Sequence, residues 1–150
     1  MINGVIIKPL SRILDDRGKI MHIIKNTELE FKKFGEVYCS TVFPGIVKGW
    51  HLHKLMTLNY TVIKGKIKFV LFDPRKDSDT FGQINEYYLG EENYVRITVP
   101  PNIWNGFMGI GIEEAFVINL TDIPHDSNEI VRIDPFEKKL INYDWSIKSR

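Results

Sequence analysis

Histidine ionises closer to neutral pH than any other side chain, so its placement is a first guide to proton chemistry. Residues 45–65, GIVKGWHLHKLMTLNYTVIKG, set His51 and His53 on alternate positions and run on into a strand-like apolar stretch. In an extended chain, residues two apart project from one face, so the two imidazoles point the same way. They are candidates for metal ligation, for proton transfer, or for two buried rings without a role. A stable divalent site takes three or four N, O or S donors with supporting contacts, and two histidines compete poorly with water. No metal or other cofactor is therefore expected. His22 and His125 stand in no comparable setting and read as solvated or locally bonded rings.

The elements that must hold such a pair are strands. IMHII (20–24), EVYCSTVF (36–43), LNYTVIKG (58–65), KIKFVLFD (66–73), INEYYLG (84–90), YVRITVP (94–100) and EEAFVINLT (113–121) are rich in β-branched and aromatic residues. Turn clusters such as FPG, DPRKDSDTFG, GEEN and PPN separate them. Lys64-Gly65 reads as a tight hairpin with glycine at a positive-φ position. KIKFVLF alternates basic and apolar residues, as a strand with one wet face does. One short helix fits NTELEFKKFG (26–35), ending near Gly35. Many evenly spaced strands with little helix imply an all-β sandwich or closed barrel. The 150 residues read as a single domain, 1–150. The tail DPFEKKLINYDWSIKSR carries Phe136, Ile141, Tyr143 and Trp145, which should pack on the barrel or reach a second subunit.

Composition excludes some partners. With 43% hydrophobic and 26% charged residues and a net charge of +1, nothing favours a nucleic-acid or membrane surface. No apolar run reaches membrane-spanning length, and no signal peptide is read at the N-terminus. The single Cys39 rules out an internal disulfide, fits a reducing cytoplasm and reads as a small buried hydrophobe.

Two signatures carry a resemblance. HLH followed by a strand ending at Gly65, and the proline turn of PPNIWNGF, are similar to the two motifs of the cupin family of jelly-roll barrels. The cupin glutamate position falls on Leu58, and the second-motif histidine position on Asn105. DDRG (15–18), GIVKGWH (45–51), DPRKDSDTFG (73–82), LGEEN (89–93) and PPNIWNGF (100–107) follow in order. The ordered set resembles the dTDP-4-dehydrorhamnose 3,5-epimerase family, which shows D-x-R-G, G-V-x-R-G-x-H, D-x-R-x-x-S-x-T-F-G and P-P-G-x-x-H-G-F. The resemblance implies a jelly-roll cupin, usually dimeric, acting on a nucleotide-linked sugar in deoxysugar or polysaccharide biosynthesis.

A 4-keto sugar has acidic C–H bonds at C3 and C5, because the carbonyl delocalises the carbanion as an enolate. Inversion needs a base on one face and a proton donor on the other. The resemblance puts the base on His51 and its orienting carboxylate on Asp134, with Asp144 as the second candidate. Arg17 matches an arginine that meets the nucleotide diphosphate; for it and for Lys48 the other reading is a surface charge paired with Asp15 or Asp73. Lys48 stands where the family has arginine and would act there as a point charge. Arg75 also matches, as a ligand contact or as a shaper of its loop. His53 replaces a common glutamine, for substrate contact or a structural hydrogen bond. Trp50 and Trp104 are candidates to stack on a base or sugar, or to fill the core.

Two departures stand out. The family's enolate-stabilising lysine falls at Leu58, and its proton-donating tyrosine at or near Ile118. Tyr60, two residues past Leu58 on the same strand face, is the candidate donor. Asn59 or Asn105 is the candidate support for the oxyanion. KGWHLHK also looks like the dTDP-sugar 3,4-ketoisomerases, in which both histidines would take part. A non-catalytic sugar-nucleotide-binding cupin is the third reading.

Overall fold

In the computed structural model, which describes residues 1–147, the chain runs through twelve strands with no helix. They are β1 (Ile6–Pro9), β2 (Arg12–Asp15), β3 (Gly18–Met21), β4 (Glu36–Val42), β5 (Val47–His53) and β6 (Leu58–Lys64). β7 (Lys66–Phe72), β8 (Ile84–Gly90), β9 (Val95–Val99), β10 (Trp104–Gly109), β11 (Ala115–Thr121) and β12 (Ile130–Arg132) complete them. Two five-stranded antiparallel sheets, ordered β1-β9-β6-β11-β4 and β12-β5-β10-β7-β8, face each other, and β2-β3 form a separate hairpin. The expected all-β jelly roll is what forms. Gly65 takes φ 74° in the β6–β7 turn, where a Cβ would lie 2.7 Å from the Ala115 Cα.

Strand alternation divides the apolar residues into two clusters. Leu58, Tyr60 and Val62 of β6 and Ile67, Phe69 and Leu71 of β7 point between the sheets, with Ile97, Phe107 and Val117. Trp50, Val70, Trp104 and Met108 point outward from the second sheet, where Ile141, Tyr143 and Trp145 cover them. The tail thus packs on the barrel. It also changes the expected wet face of β7: Lys68 is buried, its Nζ donating to the Trp145 carbonyl at 2.9 Å and to that of Ser146 at 3.2 Å.

Residues 26–35 form turns, not the expected helix. Arg96 of β9, fully buried on the outer face of the first sheet, contacts Glu28 at 2.8 Å and Glu30 at 3.2 Å. Residues two apart diverge on a helix, so both carboxylates reach one guanidinium only in a non-helical segment. The Ile23 carbonyl accepts a further Arg96 N–H at 2.8 Å, and Lys8 pairs with Glu28 at 2.9 Å. Cys39 is exposed on the outward face of edge strand β4, not buried as expected. No helix among the described residues is long and apolar enough to cross a membrane.

Candidate active site

At the end of the barrel where β6 begins, a cavity of about 340 Å³ is lined by Glu36, Tyr38, His51, His53, Tyr60 and Arg132, with Met56, His125 and Ile130. Two rows of registered residues build it. On the first sheet Tyr38, Asn119 and Tyr60 are partners across β4, β11 and β6. On the second sheet Arg132, His51 and Asn105 are partners across β12, β5 and β10. Registered partners share a face, so phenols stand on one wall and imidazole and guanidinium on the other. Tyr60 Oη, 3.5 Å from Asn105 Oδ1, closes the back of the cleft between the rows.

His51 is half-buried, and among the described residues its ring has no hydrogen-bond partner. Burial first, then the positive charges around Arg132, His53 and Lys48, press its pKa down from 6.5 to about 4. The ring is therefore neutral, with a free lone pair facing the cavity. Asn105 Nδ2 donates to the His51 carbonyl at 3.0 Å and fixes the strand that carries the ring. Lys48 reaches Ser40 Oγ at 3.1 Å, spanning from β5 to β4 beside the mouth.

His53 points into the same cavity wall, but Glu129 takes its Nδ1 at 2.7 Å. The same carboxylate accepts the Leu55 and Met56 N–H groups at 3.0 and 2.9 Å. Burial alone would raise the Glu129 carboxyl; these three donors outweigh it and hold it below the ordinary carboxylate range. His53 thus ties the β5–β6 loop to the start of β12, and the buried carboxylate–imidazole pair falls one alternate position from His51.

Other expected positions lie elsewhere. Asp134 is exposed and accepts the Phe136 N–H at 2.8 Å, shaping the turn after β12 instead of orienting His51. Asp144 bonds Ser146 in the tail, at 3.0 Å to its N–H and 2.9 Å to its Oγ. Trp104 and Trp50 face the outer cluster, not the mouth. Arg17 sits in the β2–β3 turn, paired with Asp15 at 2.6 Å and 88% exposed, away from the cavity within one chain. Arg75 clasps Asp73 through Nε at 2.8 Å and Nη2 at 2.7 Å, and so shapes its loop. Asn59 lies on the outer face, where its Oδ1 accepts from Thr98 Oγ1 at 2.7 Å.

Tyr38, Asn119, Glu129 and Arg132 were not anticipated. Period-two alternation in EVYCSTV puts Tyr38 on the face of Glu36 and Val42, a signal that was available. Glu129 and Arg132 reach the mouth only through the pairing of β12 with β5, which no local pattern announces. A larger groove of about 740 Å³ opens at the far end of the barrel. Its lining holds no imidazole, thiol or phenol, and its carboxylates are paired, Glu92 with Lys66 at 2.8 Å among them. Among the described residues no group of three or more His, Cys, Asp or Glu could hold a metal ion.

The sequence matches the model of a family described as dTDP-4-dehydrorhamnose 3,5-epimerase over residues 1–149. It is 30% identical over 152 residues to the spore coat polysaccharide biosynthesis protein SpsL of Bacillus subtilis, with 100% of each chain covered. It is 31% identical over 151 residues to the probable low-salt glycan biosynthesis epimerase Agl13 of Haloferax volcanii, covering 97% of this chain and 95% of that one. The fold is similar to a crystal structure of a dTDP sugar isomerase from Desulfovibrio desulfuricans G20, with a TM-score of 0.92 and 36% identity. That likeness covers 96% of this chain and 92% of the other. These likenesses bear out the expected family, the barrel fold and the class of sugar epimerase.

Proposed function

The chain belongs to the dTDP-4-dehydrorhamnose 3,5-epimerase family, whose members are isomerases, and on that premise we propose that it inverts C3, C5 or both in a nucleotide-linked 4-keto-6-deoxy sugar. The observation that carries this reading is the neutral, unengaged His51 ring in the barrel mouth, facing a wall of phenols. Its lone pair removes the proton beside the ketone, and the electron pair moves onto the carbonyl oxygen. The positive field of Arg132 and Lys48 that disfavours imidazolium in the free protein favours the enolate once it forms. In this reading Arg132, which lines the mouth, and Lys48 meet the diphosphate, and Asn105, at the back of the cleft, supports a sugar oxygen. Leu58, buried between the sheets, adds no charge at the position of the family lysine.

The test is incubation with thymidine diphosphate-linked 4-keto-6-deoxyglucose in deuterated water. Deuterium at C3 or C5 with the 4-ketone retained is the expected result. A 3-keto product would replace this reading with ketoisomerisation, for which the engagement of His53 by Glu129 leaves a single free ring. Absence of exchange at every carbon would leave only a binding protein.

The working unit we propose is a homodimer. Among the described residues the β2–β3 hairpin pairs with no other strand, and it exposes Ile13, Leu14 and Ile20. A lone two-stranded hairpin is marginal in water, and an open apolar edge is a pairing surface. A second copy covers it. Light scattering is expected to return twice the chain mass at micromolar concentration, and Leu14→Asp with Ile20→Asp to return the single mass. A monomer in the unsubstituted protein defeats the proposal.

A further inference from the structure

Inversion requires a proton delivered from the side of the sugar opposite the base, and the residue read as the family's donor position does not face the cavity. Residues 115, 117, 119 and 121 of β11 are buried while 116, 118 and 120 are half-buried, so Ile118 turns outward and Asn119 occupies the inward position. Asn119 does not itself donate to carbon, but its orientation is fixed. Its Oδ1 accepts the Asn59 N–H at 3.0 Å, which turns its amide nitrogen toward β4. There Nδ2 donates to the Tyr38 phenol oxygen at 2.8 Å.

Resting on the epimerase reading above, we infer that Tyr38 is the proton donor of this site, with Asn119 as its positioning residue. Tyr60, the donor expected from its strand position, is the weaker group for that task. It is 4% exposed and packs against the rings of Phe69 and Phe107, centroids 5.1 and 6.4 Å away. A donor must end the step as phenolate, and an apolar shell penalises that charge. Tyr38, at 39% exposure on edge strand β4, keeps contact with solvent. Its oxygen receives the Asn119 N–H, so a phenolate formed there meets a donor already in place. Tyr38 thus stands at the open end of the first-sheet row, with Asn119 aiming it.

The protons balance. The C–H bond beside the ketone breaks toward His51, making imidazolium and enolate. The enolate carbon then forms its new C–H bond with the Tyr38 hydroxyl proton on the opposite face, leaving phenolate. Water at the rim returns a proton to Tyr38 and removes one from His51, and no proton is gained or lost overall.

Tyr38→Phe keeps the ring and removes only the donor. In deuterated water this variant is expected to invert the sugar at least about 100-fold more slowly. Deuterium uptake into recovered, uninverted substrate is expected to stay within about threefold of the unsubstituted protein, since His51 still breaks and remakes the C–H bond from its own face. Tyr60→Phe is expected to retain inversion within about tenfold. Asn119→Ala is expected to slow inversion without slowing exchange, which a purely structural loss would not do. Inversion at full rate in Tyr38→Phe, loss of exchange together with inversion, or the donor-less phenotype appearing in Tyr60→Phe instead would each overturn the assignment. A chain that exchanges no hydrogen even when unsubstituted overturns the epimerase reading itself, and that outcome is distinct from all three.

Discussion

His51→Asn is expected to lower epimerisation by about 10²–10⁴-fold and to abolish deuterium uptake with it, because removal of a positioned general base stops C–H cleavage itself. Asparagine keeps a polar side chain on β5 and leaves the Asn105 hydrogen bond to the His51 carbonyl available, so the barrel should survive the change. The pH profile carries a second signature. In the free protein the ring sits near a pKa of about 4, so kcat/KM is expected to stay level through mildly acidic pH and fall only near that value. Bound diphosphate places negative charge beside Arg132 and Lys48, offsets their repulsion and makes imidazolium easier to form. The acid limb of kcat, which reports the complex, should therefore lie at higher pH than that of kcat/KM. A kcat/KM limb near the ordinary 6.5, or deuterium uptake that survives in His51→Asn, would count against His51 as the base. Stability has its own sign. Between 6.5 and about 4 the unfolded chain binds more protons at this position than the folded one, so falling pH through that window destabilises the fold at His51 and rising pH restores it.

Arg96→Ala carries the largest expected loss of stability, about 3–5 kcal/mol in urea unfolding followed by circular dichroism. The guanidinium is fully buried and joins three otherwise separate parts: Glu28, Glu30 and the Ile23 carbonyl. Its removal leaves two largely buried carboxylates with Lys8, at 2.9 and 3.6 Å, as their one cation among the described residues. Arg96→Lys should recover little, since an ammonium cannot span two carboxylates and a carbonyl as a planar fork does. Replacing both Glu28 and Glu30 by glutamine in the Arg96→Ala background should recover part of the loss, because no unpaired charge then remains. A cost below about 1 kcal/mol for Arg96→Ala would mean that the network behaves as a solvent-exposed pair.

Much of the barrel was legible because strand-forming residues and turn residues alternate at short range. β4, β6, β7, β8 and β11 fall within two residues of the expected runs. The same alternation that put His51 and His53 on one face also separates neighbours. Trp50 adjoins His51 and Trp104 adjoins Asn105, so neither tryptophan could share the cavity with its neighbour, and both face outward. Ile118 and Asn119 divide in the same way. What local pattern could not supply was the choice of distant partners. Glu129 meets His53 across 76 residues, and Arg96 meets Glu28 and Glu30 across 68 and 66, so tertiary geometry overrode the helical pattern at 26–35 and the carboxylate expected at Asp134.

The outer aromatic cluster has a spectroscopic consequence. The chain has three tryptophans, and Trp50, Trp104 and Trp145 all belong to that one cluster under the tail. Indole emission therefore reads the seating of the C-terminal segment on the barrel and is nearly blind to the mouth.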